Sequence, residues 1–258
     1  MKVYLCGQKY FGREVLRLLL DRPGVEVVGV SVPLSTADGR EDRTAELARL
    51  HELPRMPPGE LRATNLPRGT DLIVCAHSHD YLGRATRNRA KLGAIGYHPS
   101  LLPLHRGRDA VRWTIRDRDR VAGGTVFWLS DNVDAGPVAA REWCFVRPDD
   151  DAETLYRREL QPMGVRLIAR ALDDLDAGRM VRVAQDRHCG SWEPSMDAPP
   201  LFRPELPMLG YSSAGYVTVV EDDRGLGPIP AEACGKPASW AADATRGPIE
   251  PRSWRARA

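Results

Sequence analysis

Long apolar runs are missing from this sequence. The longest, such as residues 72–76 and 217–220, fall far short of the ~18–20 residues a bilayer crossing needs, so a membrane partner is not expected. A secretory leader is not expected either, because the short strand-like run after Met1-Lys2 gives way at once to Gly7-Gln8-Lys9. These absences lead to the expectation of a cytoplasmic protein. Cysteine pairs at ligand spacing are also missing. Cys6, Cys75, Cys144, Cys189 and Cys234 form no C-x-x-C, which argues against a thiolate metal site and against a disulfide framework. Cys6, Cys75 and Cys144 lie in apolar runs and read as buried small hydrophobes.

An excess of one charge is absent as well. The 37 Lys plus Arg face 35 Asp plus Glu, leaving +2. Lysine is limited to Lys2, Lys9, Lys91 and Lys236, and the arginines are interleaved with acids, as in residues 116–120. That pattern is a solvated surface and lacks the basic stripe of a general nucleic-acid binder.

What is present is a 258-residue chain with 42% hydrophobic residues, enough for one large domain or one domain with an appendage. Short apolar runs at 2–6, 25–32, 71–76 and 93–97 read as buried strands. Between them, residues 11–20, 44–50 and 81–91 have helical character, and alternation of this kind means parallel strands joined by crossover helices. Beyond them come a helix at 109–116, strands at 124–129 and 137–146 around a six-residue loop, and a long helix at 154–175. The loop suggests antiparallel pairing at the sheet edge. The class is therefore α/β: a mostly parallel sheet with antiparallel edge strands and flanking helices. Residues 1–185 are expected to form the catalytic domain. Residues 186–258, rich in Pro and Gly with a strand expected near 216–220, are expected to form a partly ordered extension.

Gly7-Gln8-Lys9-Tyr10-Phe11-Gly12 follows the first strand and opens a helix. A dinucleotide fingerprint needs glycine where Lys9 stands, so the backbone can approach a pyrophosphate. A structural turn is the leading reading, with a small phosphate or nucleotide-like ligand as the alternative.

The densest chemical signal is His98-Pro99-Ser100-Leu101-Leu102-Pro103-Leu104-His105-Arg106-Gly107, at the carboxyl end of a parallel strand, where α/β folds put ligand chemistry. Asp131-Asn132-Val133-Asp134-Ala135-Gly136-Pro137 follows in a loop, with Asp134 coming 36 residues after His98. A carboxylate in such a loop can hold an imidazole and set its tautomer. A capped loop histidine and an unrelated turn aspartate would leave the same traces.

The pattern H-P-S-L-L-P-x-x-R-G followed by D-x-x-D-x-G-P resembles the signature of the 10-formyltetrahydrofolate-dependent formyltransferase family, in particular the catalytic domain of methionyl-tRNA formyltransferase. The likeness runs over roughly residues 1–185. It implies a Rossmann-like formyltransferase fold, 10-formyltetrahydrofolate as co-substrate and no metal. It also implies transfer of a formyl group to a primary amine, with His98 and Asp134 catalytic. Cys75, Ala76, His77 and Ser78, with Ser130, Asp131, Asn132 and Val133, would border the folate. Ser100, Arg106, Gly107 and Arg108 would meet the substrate. A small amine is favoured as acceptor. A tRNA acceptor is not favoured, because only about 70 loosely composed residues follow the last long helix and the near-neutral charge is poorly suited to it. A homodimer is admitted. A formyltetrahydrofolate hydrolase, methionyl-tRNA formyltransferase proper and a non-catalytic folate binder are the competing readings. The family's Asn, two residues before the histidine, is Gly96 here. A backbone N–H or water could replace the amide, the acyl geometry could differ, or efficient transfer could be lost.

Overall fold

The structure, a computed structural model, describes residues 1–78, 80–186 and 190–197, with the backbone of 219–222 and 225–228. Seven strands form one sheet in the order β3-β2-β1-β4-β5-β6-β7: β1 Lys2–Gly7, β2 Glu26–Ser31, β3 Arg55–Met56, β4 Leu72–Ala76, β5 Gly93–His98, β6 Val121–Trp128 and β7 Val138–Phe145. The first five strands run parallel, while β6 and β7 are antiparallel. The order reverses between β1 and β4, and the carboxyl edge of such a switch point is where open α/β sheets bind ligands.

Alternation along the strands divides the core. One face buries Val3, Leu5, Leu72, Val74 and Ile95 against the larger cluster, which includes Val15, Leu16, Met163, Leu167 and Ile168. These come from helices α1 (Lys9–Asp21) and α6 (Gln161–Asp176). The other face buries Tyr4, Cys6, Ile73 and Ala94 under a smaller cluster that includes Leu61, Leu66 and Leu82. Gly96 continues the Ala94 row by the two-residue period, so the chemical end of β5 opens on the thinner face.

Helix α2 spans Arg43–Leu50, α3 Arg84–Arg89, α4 Ala110–Arg116 and α5 Ala152–Leu155. Several expectations are corrected. The helix expected at 81–91 is only α3, because Gly83 and Ala90 are extended at its two ends. The helix expected at 154–175 begins earlier, at the Asp151–Thr154 capping box, and contains a π-turn at Tyr156–Leu160. Pro162 has no N–H for the carbonyl four residues back, and the wider turn accommodates the missing bond. Tyr97 Oη donates to the Leu160 carbonyl at 2.5 Å, tying that turn to β5. Strand β3 was not anticipated. Cys75 and Cys144 are half-buried rather than buried, whereas Cys6 is fully buried. Val219–Asp222 (β8) and Gly225–Pro228 (β9) form an antiparallel hairpin, and Cys189 and Cys234 lie outside the described residues. Among the described residues, no helix is long and apolar enough to cross a membrane.

Candidate active site

The turn after β1 is closed to phosphate. The Lys9 backbone N–H, which would face an anion at the start of α1, donates to Asp42 Oδ2 at 2.8 Å. The same carboxylate caps α2 through the Thr44 N–H at 2.8 Å, and a fixed negative charge repels a phosphate. Gly12 is required here for packing, since a Cβ would lie 2.6 Å from Thr44 Oγ1. The structural reading of the turn is therefore the one the geometry supports.

At the carboxyl end of β5, His98 is almost fully buried. Its Nε2 lies 2.7 Å from the His105 backbone carbonyl. A carbonyl only accepts, so Nε2 carries the proton and Nδ1 keeps its lone pair. Nδ1 faces Asp134 Oδ2 at 3.6 Å, an electrostatic approach longer than a hydrogen bond. Asp134 is fixed from two sides. Its Oδ2 accepts from the Gly107 N–H at 2.9 Å, and its carbonyl accepts from Gln185 Nε2 at 2.8 Å. Gln185 Nε2 also reaches the Gly136 carbonyl at 2.7 Å. Asp134 itself has φ 53°, a left-handed conformation that Asp tolerates better than most residues. The two motifs, distant in sequence, thus meet.

The loop joining them to the sheet edge is braced by charge. Asp131 pairs with Arg84 and, at 2.5 Å, with Arg87. Hydrogen bonds from Arg84 and then Arg87 pull the Asp131 carboxyl down to about 2. Asn132 and Val133 are exposed, and Ser130 Oγ donates to the Asn132 carbonyl at 3.0 Å. At the end of β4, His77 turns the chain with φ 59°. Ala76 is buried, and Ser78 Oγ accepts from the Asp80 N–H at 3.1 Å. His79 lies outside the described residues.

The residues expected to meet substrate divide. Ser100 is buried and donates to the Leu104 carbonyl at 2.6 Å, closing its own loop beside a cis Leu102–Pro103 peptide. Arg106 is buried, with its Nε directed at the Ser191 carbonyl at 3.4 Å. Gly107 touches Asp134 through its amide, and Arg108 alone is exposed. Gly96 presents no side chain. A Cβ there would be 3.0 Å from Leu129 Cδ1, 3.5 Å from Cys75 Cβ and 3.6 Å from Phe127 Cε1, so its surroundings are apolar. Tyr97 points to the opposite face, where its ring meets Phe11.

Residues outside the two motifs also build the site. Besides Gln185, they are Asp119 and Glu193, which flank the His105 ring. His105 Nε2 is 2.7 Å from Asp119 Oδ2 and Nδ1 is 3.2 Å from Glu193 Oε1. Burial alone would lower the His105 pKa, but hydrogen bonds to Glu193 and Asp119, with their charges, raise it to about 9. Burial raises the carboxyl of neighbouring Asp117, with His105 opposing and Asp119 and Glu193 adding to the shift. Because the folded value lies above the ordinary 6.5, this charge stabilises the fold fully below about pH 6.5. That stability is lost as the pH rises through about 9. Melting temperature should therefore fall from pH 6.5 to 9.5, and fall less in His105→Gln. Parallel pH curves for the two proteins would refute the assignment.

An imidazole and a carboxylate thus converge at the carboxyl edge of a switch-point α/β sheet, the place where folds of this class bind ligands. Residues 55–172, a little under half of the chain, match the formyl transferase family model. It is 32% identical over 204 residues to the cytosolic 10-formyltetrahydrofolate dehydrogenase of Xenopus laevis, covering 75% of this chain and 22% of that protein. It is 34% identical over 122 residues to the methionyl-tRNA formyltransferase of Methylacidiphilum infernorum (isolate V4), covering 47% of this chain and 38% of the other. The chain thus spans about a fifth of the length of the dehydrogenases it matches. In fold it is similar to an N-formyltransferase from Helicobacter canadensis solved with folinic acid and dTDP-3-aminofucose. That match has a TM-score of 0.62 at 13% identity and covers 83% of this chain and 76% of that one.

Proposed function

We propose that this chain takes the formyl group from 10-formyltetrahydrofolate and passes it to the primary amine of a small molecule, with His98 and Asp134 as the catalytic pair. The observation that carries this reading is the approach of His98 Nδ1 to Asp134 Oδ2 at 3.6 Å. In this reading residues 1–185 form the catalytic domain. Residues 186–258 form an extension whose segment 190–197 lies against the His98–Gly107 loop through the Arg106–Ser191 contact. The end of β4 (Cys75, Ala76, His77, Ser78) and residues 130–133 border the folate, and Arg108 is the substrate-side cation. The apolar neighbours of Gly96 suit a flat aromatic group.

The folate supplies the formyl carbon and N10 as leaving group. The amine nitrogen attacks that carbon, the carbon–N10 bond breaks, and its electron pair stays on N10. One proton must leave the amine and one must reach N10. Asp134 accepts the first, and His98 moves a proton through Nδ1, because its Nε2 proton is committed to the His105 carbonyl. The Asn amide that would hold the developing oxyanion is absent at Gly96, so a backbone N–H or a water supplies that contact.

A second reading has water as the acceptor. The likeness to 10-formyltetrahydrofolate dehydrogenases, whose name gives the folate and no amine, supports it. Calorimetric titration with 5-formyltetrahydrofolate tests the shared step, and saturable binding at one site per chain is expected. No binding would remove both readings. Tetrahydrofolate release from 10-formyltetrahydrofolate separates them: dependence on an added amine supports transfer, and equal formate release without amine selects hydrolysis.

A further inference from the structure

His105 occupies a junction that the catalytic pair does not explain. The Arg106 N–H donates to the Ser191 carbonyl at 3.1 Å, the Ser191 N–H to the Pro103 carbonyl at 3.0 Å and the Glu193 N–H to the Arg106 carbonyl at 3.1 Å. The His105 N–H adds a bond to Ser191 Oγ at 2.9 Å. Residues 190–197 therefore lie along the His98–Gly107 loop like an added strand, with a parallel bridge between Arg106 and Trp192. The far end is pinned to α4. Trp113 Nε1 donates to the Pro194 carbonyl at 2.9 Å, and the Met196 N–H donates to Asp109 Oδ2 at 2.8 Å.

His105 is the residue through which these contacts reach His98. Its Nε2 is hydrogen-bonded to Asp119 Oδ2 at 2.7 Å, and its Nδ1 lies 3.2 Å from Glu193 Oε1, an ion-pair approach. Asp119 and Asp117 follow α4 and Glu193 comes from the docked segment, so carboxylates surround the ring from both sides. His105 is nearly buried, and its backbone has φ 52°, in the left-handed region that non-glycine residues adopt uncommonly and histidine more often than most. Its carbonyl is the group that accepts the His98 Nε2 proton.

We propose that His105 is a positioning residue for His98: clamped between Asp119 and Glu193, it docks residues 190–197 and holds the carbonyl that keeps the His98 proton on Nε2. This rests on the reading of His98 as catalytic. Release of the clamp frees residues 190–197 from the loop and lets the His105 carbonyl shift. His98 then loses the bond that selects its tautomer, and Nδ1 no longer stands ready toward Asp134. The clamp touches neither the end of β4 nor residues 130–133, so folate affinity is spared.

The test uses the full chain with 15N-labelled histidine, at a pH where His98 is neutral, with its signals assigned by loss in His98→Ala. The wild type is expected to show one His98 tautomer, protonated at Nε2. His105→Asn tolerates the left-handed backbone but cannot bridge two carboxylates, and it should give mixed His98 tautomers. Its kcat should fall about tenfold to a hundredfold, the scale of a small misplacement of a reacting group, with KM for the folate changed less than about twofold. Asp119→Asn, at the partly exposed end of the clamp, should move both readouts the same way and serves if His105→Asn does not fold. A folded variant that keeps the wild-type tautomer and kcat overturns the proposal, as does a mixed tautomer in the wild type. The spectrum decides this even if the wild type transfers and hydrolyses nothing, an outcome that would defeat the catalytic reading separately.

Discussion

His98→Ala and Asp134→Asn should each lower formyl transfer about a hundredfold to a thousandfold, the usual cost of losing one preorganised group at a reacting centre. Asp134→Asn is the cleaner test. An asparagine oxygen can still accept the Gly107 N–H now bound at 2.9 Å, so the loop keeps its anchor and only the charge is lost. His98→Ala also leaves the buried His105 carbonyl without its 2.7 Å partner, which should cost about 1–3 kcal/mol of stability. Its activity must therefore be measured well below its melting point. The two residues share one proton path, so the double variant should be little worse than either single one. KM for the folate should change less than about twofold, because neither side chain belongs to the β4 end or to residues 130–133. Wild-type turnover in both single variants would show that the paired side chains do not perform the chemistry.

Much of this arrangement is legible in the sequence, because buried parallel strands leave a direct trace. Residues 72–76 are continuously apolar and become β4, shielded on both faces by the two core clusters. The His98 and Asp134 motifs are legible through their resemblance to a family signature, not from either residue alone. The neighbours that organise them are not. Gln185 and Glu193 lie in stretches with no periodicity, and their roles come from contacts with residues dozens of positions away. His105 sits inside the strongest motif yet looks like a variable position, since its importance lies in its backbone carbonyl and its ring partners. Strand β3 is two residues long and carries no hydrophobic pattern, so only its pairing with β2 reveals it. The π-turn is equally silent, because it follows from fitting a proline into a helix already held by Tyr97.

Arg106 and Arg87 show how differently two arginines near the motifs are held. A guanidinium after a ligand loop suggests an anion contact, but burial and the docked segment engage the Arg106 side chain inside the protein. Arg84 and Arg87, seemingly ordinary helix residues, are the arginines that brace the loop bearing Asp134. Position in a fold, not proximity to a motif, decides which cation organises the site.

Gly136→Ala should be the most damaging glycine-to-alanine change between Gly7 and Gly178. A Cβ at that position would lie 1.7 Å from the Trp128 carbonyl oxygen and 2.9 Å from its carbon. These are backbone atoms of β6, pinned by the Trp128 N–H bond to the Pro137 carbonyl at 2.8 Å, so they cannot rotate away as a side chain would. The only relief is to push residues 130–136 off the sheet edge. That movement breaks the Gln185 bonds to the Asp134 and Gly136 carbonyls, and it carries Asp134 away from both the Gly107 N–H and His98. The expected cost is about 3 kcal/mol or more in denaturant unfolding, the upper end for an overpacked site, with formyl transfer reduced at least as far as in Asp134→Asn. Gly83→Ser is the control: a Cβ there has nothing within 4 Å, and serine suits the N-cap of α3. It should stay within about 0.5 kcal/mol of wild type. A Gly136→Ala protein as stable and as active as that control would mean that β6 and the Asp134 loop are not in the close contact on which the geometry of the site depends.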